Sequence, residues 1–564
     1  METENPFESP QTEKTARPKE PTPKSASGLL SNLNHAVFWP PFLLLLGAIV
    51  LNFIAPDQIV DGEKVSGGFS KTVDGANDWI LGNFGWVFSL CACLALTLCV
   101  VICFSGFSKV RIGGRDAKPL MSMWNWFSIT ICTTIAIGIL FWSTAEPISH
   151  FAQPPARLGI QANSPAAATF ALSTMYLHWS FVPYSLYCVA SLMFAFAYYN
   201  MKKPFSLGST LTPLLGNWAT GKGGNIIDAV CLYALVAGMA AALGTGILML
   251  AGGMEDLFNI PSNSTSWFVI AATIVATFIV SSATGLMNGI RILSDINTKL
   301  LFCLAFVPLI FGPTLFLLTQ GGESLLDFVI HFIPRTLYYQ ADANGVSILA
   351  PDQWGKDWTV FYWAVWLAWA PITACFLGRI AYGRTVREFM LVNFIFPSLF
   401  GIVWMTIFGG TAIHLQMNEV VDLHGVYQGK GAEAVSFAMF KQFPLANVLI
   451  IFYMFSAFVC FVTSSDSNMS AMASISSTGI SPQNPEGNKW LKIIWGVSVG
   501  AVAWIMISFT GGVKGVKMLS NLGGFPAAFL ELFIIAALIR VVIFHKSLNL
   551  IDQDDKATSN AESA

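Results

Sequence analysis

Charge is what this chain has least of. Only 11% of its 564 residues are Asp, Glu, Lys or Arg, against 54% hydrophobic, and the mean hydropathy is +0.61. A soluble domain carries roughly 25% charged residues, which leaves an all-α polytopic membrane protein as the class that fits. The formal net charge of −2 singles out no partner, and no nucleic acid is expected. The ten cysteines, from Cys91 to Cys460, lie inside apolar segments, with neither metal spacing nor a disulfide framework, and read as small core residues. Nucleotide-binding loops, HExxH-type metal motifs and nucleophile elbows are absent, which argues against an ATP-driven pump or an intramembrane enzyme. No organic cofactor and no catalytic residue is expected, and no cleavable signal peptide opens the chain.

What is there is apolar runs. Residues 1–30, rich in Pro, Glu, Lys and Ser, cannot bury a core and are expected as a disordered cytoplasmic tail; residues 546–564 form a second, short one. Between them the pattern predicts twelve spans, at roughly 36–54, 80–105, 122–143, 166–199, 225–252, 266–286, 298–319, 358–382, 390–414, 443–476, 490–510 and 518–544. Basic residues follow spans two (Lys109, Arg111, Arg115, Lys118), four (Lys202, Lys203) and eight (Arg379, Arg384, Arg387), and Arg291 and Lys299 fall between six and seven. The positive-inside rule makes those loops, and both termini, cytoplasmic. Residues 323–356 are expected as an external helix along the membrane surface followed by a polar run.

Within the spans, the stretch WTVFYWAVWLAWAPITACFLGRIAYGRTVREF (358–389) repeats tryptophan at 363, 366 and 369, on one helical face, just before Pro371. Such a stripe serves as interface anchor, as packing, or as a wall for a quaternary ammonium, which electron-rich indole faces attract. Span three carries Thr133 and Thr134, then Gly138, then Glu146-Pro147 at its end. Its hydroxyls either replace backbone bonds at a break or back-bond to their own helix. Span four contains MYLHWSFVPYSLY, where Pro183 is expected to bend a helix bearing Trp179, Tyr184 and Tyr187; His178 reads as a buried, hydrogen-bonded histidine or as a proton carrier. The small residues 238–246 suit close packing, or a smooth face for a passing solute. CFVTSSDSNMS (460–470) offers hydroxyls suited to sodium beside Asp466, or is simply a helix end with that carboxylate solvated. Interrupted spans three and eight, five apart, have the spacing of an inverted five-plus-five repeat, 122–319 and 358–545.

FYWAVWLAWAPITACFLGRIAYGRTVREF closely resembles the span-eight signature of the betaine/choline/carnitine transporter (BCCT) family. ILFWSTAEPISHF, MYLHWSFVPYSLY and FVTSSDS resemble its spans three, four and ten. The similarity covers roughly residues 35–545 and implies one transporter domain, 31–545, with twelve helices and a leucine-transporter-type repeat in spans three to twelve. It also implies a homotrimer among membrane lipids and secondary transport of trimethylammonium-type solutes.

Carried over by residue, the aromatic box falls on Trp179, Tyr184, Tyr187, Trp366 and Trp369, with Thr134 facing the substrate from CTTIAIG, where betaine carriers have glycines. The sodium site falls on the Thr463 and Ser464 hydroxyls with the carbonyls of Cys132, Ile135 and Cys460, and Asp466 falls at a cytoplasmic gate. A further sodium site of the family meets Leu235, Met239 and Ile372 here and is expected to be lost. The expectation is an importer, in a cell inner membrane, of a betaine-, choline- or carnitine-type compound or a related zwitterion or sulfonium, coupled to one sodium ion. An exchanger, a proton symporter using Asp466 and a transport-dead sensor are the alternatives.

Overall fold

The computed structural model describes residues 32–545 apart from 55–57, 61–62, 66, 135, 284–286, 338–339, 343–344, 348–351 and 482–486. Both tails, 1–30 and 546–564, therefore lie outside the described residues. The rest is almost entirely helical because lipid offers backbone groups no partner, and a helix pairs them within one segment. In chain order the main helices are α1 (His35–Ile54), α2 (Gly68–Phe104), α3 (Met123–Thr134), α4 (Ala136–Ala152), α5 (Pro165–Trp179), α6 (Phe181–Ala195), α7 (Lys222–Phe258), α8 (Ser264–Ala283), α9 (Met287–Phe311), α10 (Thr314–Leu337), α11 (Phe361–Ile380), α12 (Phe396–Met417), α13 (Ala446–Ile475), α14 (Lys489–Phe509) and α15 (Val513–Phe544). Among the described residues, length and composition give eight crossings, or ten when two bent pairs each count as one span. Two shorter apolar helices, His35–Leu51 and Ser264–Val280, stand where spans one and six are expected.

The expected interruptions are present. α3 and α4 meet at 54°, and the segments on either side of Pro371 meet at 52°; proline frees the carbonyl four residues back and so bends the helix there. Span four also breaks, but at Ser180, whose φ of −126° and ψ of −117° separate α5 from α6. Pro183 sits instead in the first turn of α6, where a missing N–H costs nothing.

Span seven departs from the expectation. It is α9, starting at Met287, so Lys299 lies inside a helix, where it pairs with Asp295 at 2.6 Å, and not in a loop. Pro313 ends that run, and the residues expected as a surface helix belong to the longer α10, Thr314–Leu337. It buries Leu317, Ser324 and Phe328 against the bundle and exposes Leu318, Leu326, Val329 and Ile330, the two-sided pattern of a helix at the rim of a membrane bundle.

Two loops on the Arg-rich side lock the helix ends there together. Ile112 donates its N–H to the Arg384 carbonyl, Gly383 to that of Ile112 and Val386 to that of Val110, at 2.9 Å each. Gly383 is irreplaceable: its φ is +79°, and a Cβ there would fall 2.2 Å from the Lys118 backbone. Thr385 and Glu388 form a reciprocal capping box that starts the next helix. The small residues of α7 serve packing, since a Cβ on Gly238 would crowd the Ala368 backbone at 3.2 Å, and on Gly524 of α15 the Ala364 backbone at 2.3 Å.

Candidate functional site

α4, α5, α6, α7, α11 and α15 line a narrow cavity of about 50 Å³, bordered by Thr134 at the end of α3. Its walls are aromatic: Trp142, Trp179, Tyr187, Phe361, Tyr362, Trp366 and Trp369, with Ala241, Ala242, Thr245 and Ser520 completing the lining. Trp366 is the hinge of the wall. Its ring meets Trp179 edge-on at 5.1 Å and Tyr187 at 5.9 Å, and its indole N–H donates to the His178 carbonyl at 3.0 Å. That carbonyl is free to accept because the chain breaks two residues later, at Ser180.

Of the expected box, Trp179, Tyr187, Trp366, Trp369 and Thr134 reach the cavity. Tyr184 is buried beside Tyr187, with ring centroids 6.4 Å apart, and does not line it. Trp363, the third member of the stripe, turns away and donates to the Thr336 carbonyl at 3.1 Å. Thr134 back-bonds to the Thr130 carbonyl at 2.9 Å, and the residues at 238–246 both pack and line the cavity.

Behind the wall lies a polar nucleus that the sequence alone did not assign. Glu146, fully buried, accepts from His178 Nδ1 at 2.6 Å and His150 Nε2 at 3.1 Å on one oxygen. On the other it accepts from the Trp179 indole at 2.9 Å and the Tyr362 hydroxyl at 2.5 Å. Four donors fill a carboxylate's acceptor sites and suit the anion. The count also fixes tautomers: His150 carries its proton on Nε2, and His178 on Nδ1, with its Nε2 facing the Thr359 hydroxyl at 3.1 Å. Trp179 and Tyr362 thus present cavity-facing rings whose polar ends are held by one anion. Glu146, His150 and His178 bring ligand atoms within 4.8 Å, the residue types of a divalent-metal centre. With both carboxylate oxygens already engaged, the cluster reads as a hydrogen-bonded support. The signal in the sequence was a Glu and a His four apart in an otherwise apolar span.

The second polar region runs along α13. Thr463 donates to the Val459 carbonyl at 2.7 Å, and Ser464 accepts from Asn468 at 3.2 Å. The side chains of Cys132 and Cys460 converge on Asn297 of α9, at 3.5 and 3.0 Å from its amide nitrogen, so α3, α9 and α13 meet here. Ile135 lies outside the described residues. Asp466 is buried, which overturns the reading of a solvated helix end. Leu235 and Met239 are buried too, without a side-chain oxygen to offer.

A bundle of apolar spans, broken on two sides of an aromatic cavity, defines a membrane transporter rather than an enzyme. Residues 36–546 match the family model described as BCCT, betaine/carnitine/choline family transporter, and the chain belongs to that family. It is 31% identical over 505 residues to glycine betaine transporter 1 of Vibrio parahaemolyticus, covering 88% of this chain and 92% of that one. It is 28% identical over 486 residues to the high-affinity choline transport protein of Escherichia coli, covering 84% of this chain and 68% of that one. It is also 27% identical over 514 residues to the ectoine/hydroxyectoine transporter of Virgibacillus pantothenticus, covering 91% and 97%.

Proposed function

We propose that the protein is a secondary importer of a quaternary-ammonium compound or a related small zwitterion, driven by one sodium ion. The observation that carries the substrate class is the cavity wall of Trp179, Tyr187, Trp366 and Trp369. An onium group cannot be hydrogen-bonded, and aromatic faces are its best neutral partners. The relatives' names, betaine, choline and ectoine, span that class. At about 50 Å³ the cavity is tight, so substrate binding goes with an opening of the walls.

Sodium coupling is supported by α13, where Ser465 Oγ and Asn468 Oδ1 are buried without a hydrogen-bond partner among the described residues, beside Thr463 and Ser464. A buried oxygen without a donor is satisfied by a cation. One charge moved across the membrane is worth about 2.3 kcal/mol per 100 mV, enough to drive accumulation. A second reading, proton symport, is favoured only by the burial of Asp466. The proposal includes twelve spans with repeats 122–319 and 358–545, cytoplasmic termini, an inner-membrane location and a homotrimer.

The test is uptake into proteoliposomes of betaine, choline, carnitine, a sulfonium solute, taurine and ectoine, with sodium or proton gradients imposed separately. Sodium-driven uptake of one onium solute is expected. Uptake that follows only protons, or binding without any flux, overturns the coupling or the transport reading respectively.

A further inference from the structure

The nucleus around Glu146 stands as a hydrogen-bonded support, yet two of its four bonds come from imidazoles, and an imidazole can carry its proton on either ring nitrogen. The carboxylate divides its work by oxygen. One oxygen holds the Trp179 indole and the Tyr362 hydroxyl, both on residues of the cavity wall. The other receives only His178 Nδ1 and His150 Nε2, and all three side chains are fully buried.

The far nitrogens decide whether those protons can move. His178 Nε2 faces the Thr359 hydroxyl at 3.1 Å, and a hydroxyl accepts from an N–H as readily as it donates to a lone pair. His150 Nδ1 is buried without a hydrogen-bond partner among the described residues, so moving the proton there breaks no existing bond. With both protons relocated, two nitrogen lone pairs and one carboxylate oxygen are aimed into the space the protons held. That is a His2Glu ligand set, which zinc-type ions take with a fourth position left for water. Both imidazoles stay neutral through the exchange, and the Glu146 charge offsets half of the ion's. The His178 N–H that then meets Thr359 is the outer hydrogen bond that orients a metal-bound imidazole.

A buried site also needs an entry path. The rings of Phe170 and Trp354 stand 6.2 and 5.0 Å from that of His150, and these two residues and Thr359 all line a cavity of about 380 Å³ between α5 and α10. Single side chains thus separate that cavity from the histidines. Its charged groups are paired: Arg335 and His331 meet Asp327 at 2.6 and 2.8 Å, and Arg157 meets Asp352 at 3.4 Å, so neither arginine stands bare in the path of a cation.

We propose that Glu146, His150 and His178 bind one divalent transition-metal ion of the zinc type, entering from this cavity, with Thr359 as the outer hydrogen-bond partner. The ion ties α4 to α5 while Glu146 keeps its bonds to Trp179 and Tyr362, so it stiffens the wall without dismantling it. The site stands whichever solute the central cavity takes.

The experiment strips the purified, tag-free full-length protein with a chelator, then titrates it with ZnCl2 by calorimetry and with CoCl2 by visible absorption, where only a tetrahedral type of site gives Co2+ an intense band. One Zn2+ per chain, a raised unfolding temperature and the Co2+ band are expected, with no response to Mg2+ or Ca2+, which take oxygen shells. His150→Gln and His178→Asn each put an amide N–H where the imidazole N–H stood, keeping the support while removing a ligand, and thermal unfolding confirms that each is folded. Each should weaken Zn2+ binding by more than the roughly 100-fold that losing an outer partner can cost, and Thr359→Val by about ten-fold. A parent without the Co2+ band, an equal response to Mg2+, or Zn2+ binding that survives both His150→Gln and His178→Asn overturns the proposal.

Discussion

The two buried polar regions of this protein solve the same problem in opposite ways. Around Glu146, one carboxylate meets four donors drawn from α4, α5 and α11, and both of its oxygens are engaged. Along α13, the Thr463 and Ser467 hydroxyls are turned back on their own helix while Ser465 Oγ and Asn468 Oδ1 have no partner among the described residues. The first region engages both oxygens of its carboxylate, with His150 Nδ1 left without a partner among the described residues, and so acts as a frame. The second is incomplete, and incompleteness inside lipid is tolerated only where something else supplies the bonds.

Breaking the frame should have the largest effect. Glu146→Gln removes the charge and turns an amide donor toward groups that need an acceptor, so unfolding should come easier by on the order of 3 kcal/mol. A variant as heat-stable as the parent would show that the nucleus carries no structural weight. Next is the wall itself. Trp366→Leu keeps apolar bulk but loses the cation attraction, which is about 2 kcal/mol when desolvated, or roughly a 30-fold loss in onium affinity by equilibrium titration. Trp366→Phe, which keeps a ring, should lose less; equal losses would place the effect in the bond to the His178 carbonyl instead. The incomplete region is tested by Thr463→Ala with Ser464→Ala. The parent's sodium dependence should fit a single site, with a Hill coefficient of about one, and vanish in the double variant, whereas Asp466→Asn keeps it. Loss of proton-driven uptake in Asp466→Asn would reverse that assignment.

The smallest expected effect sharpens the contrast from outside the membrane. Glu433, in the turn after Gly431, is a carboxyl that burial pushes up to about 7, with Glu255 adding to the rise. Because its folded value lies above the ordinary glutamate value of 4.5, the folded state holds the extra proton. Its contribution is therefore present below pH 4.5 and lost as pH climbs to about 7. Partial exposure limits the change to on the order of 1–2 kcal/mol. Glu433→Gln should flatten the unfolding midpoint between pH 5 and pH 8, and an unchanged slope would locate the titration elsewhere.

Most of the architecture was legible in apolar run lengths, because a membrane leaves the backbone little choice. What was not legible depended on side-chain pairings, most of them between distant segments. The slip at span seven arose because Lys299 looked like a loop residue, whereas its i−4 partner Asp295 lets it remain in a helix. Trp366, Trp369, Trp179 and Tyr187 were legible from the stripe and the resemblance, but Tyr184 falls outside the lining because the break at Ser180 sets which face of α6 turns inward. Glu146 was read as a helix end since its four donors lie up to 216 residues away. Lys517 falls just before the expected span 518–544, and nothing in its sequence neighbours announces the rings it meets.

One wide helical turn has a consequence for anyone who re-engineers this chain. Residues Lys356–Val360 wind as a single π-type turn, joining the short helix Gln353–Gly355 to α11. Such a turn holds one residue more than an α-helical turn, and each residue advances the helix by about 100°. Removing one residue there would restore an even helix without touching Trp363, Trp366 or Trp369. It would also rotate everything before it, swinging Trp354 around the axis and pulling the Asp357 carbonyl from beneath Lys517. A one-residue deletion is thus a mechanical way to release the contacts of Trp354 and of the Asp357 carbonyl while leaving the cavity's inner wall in register.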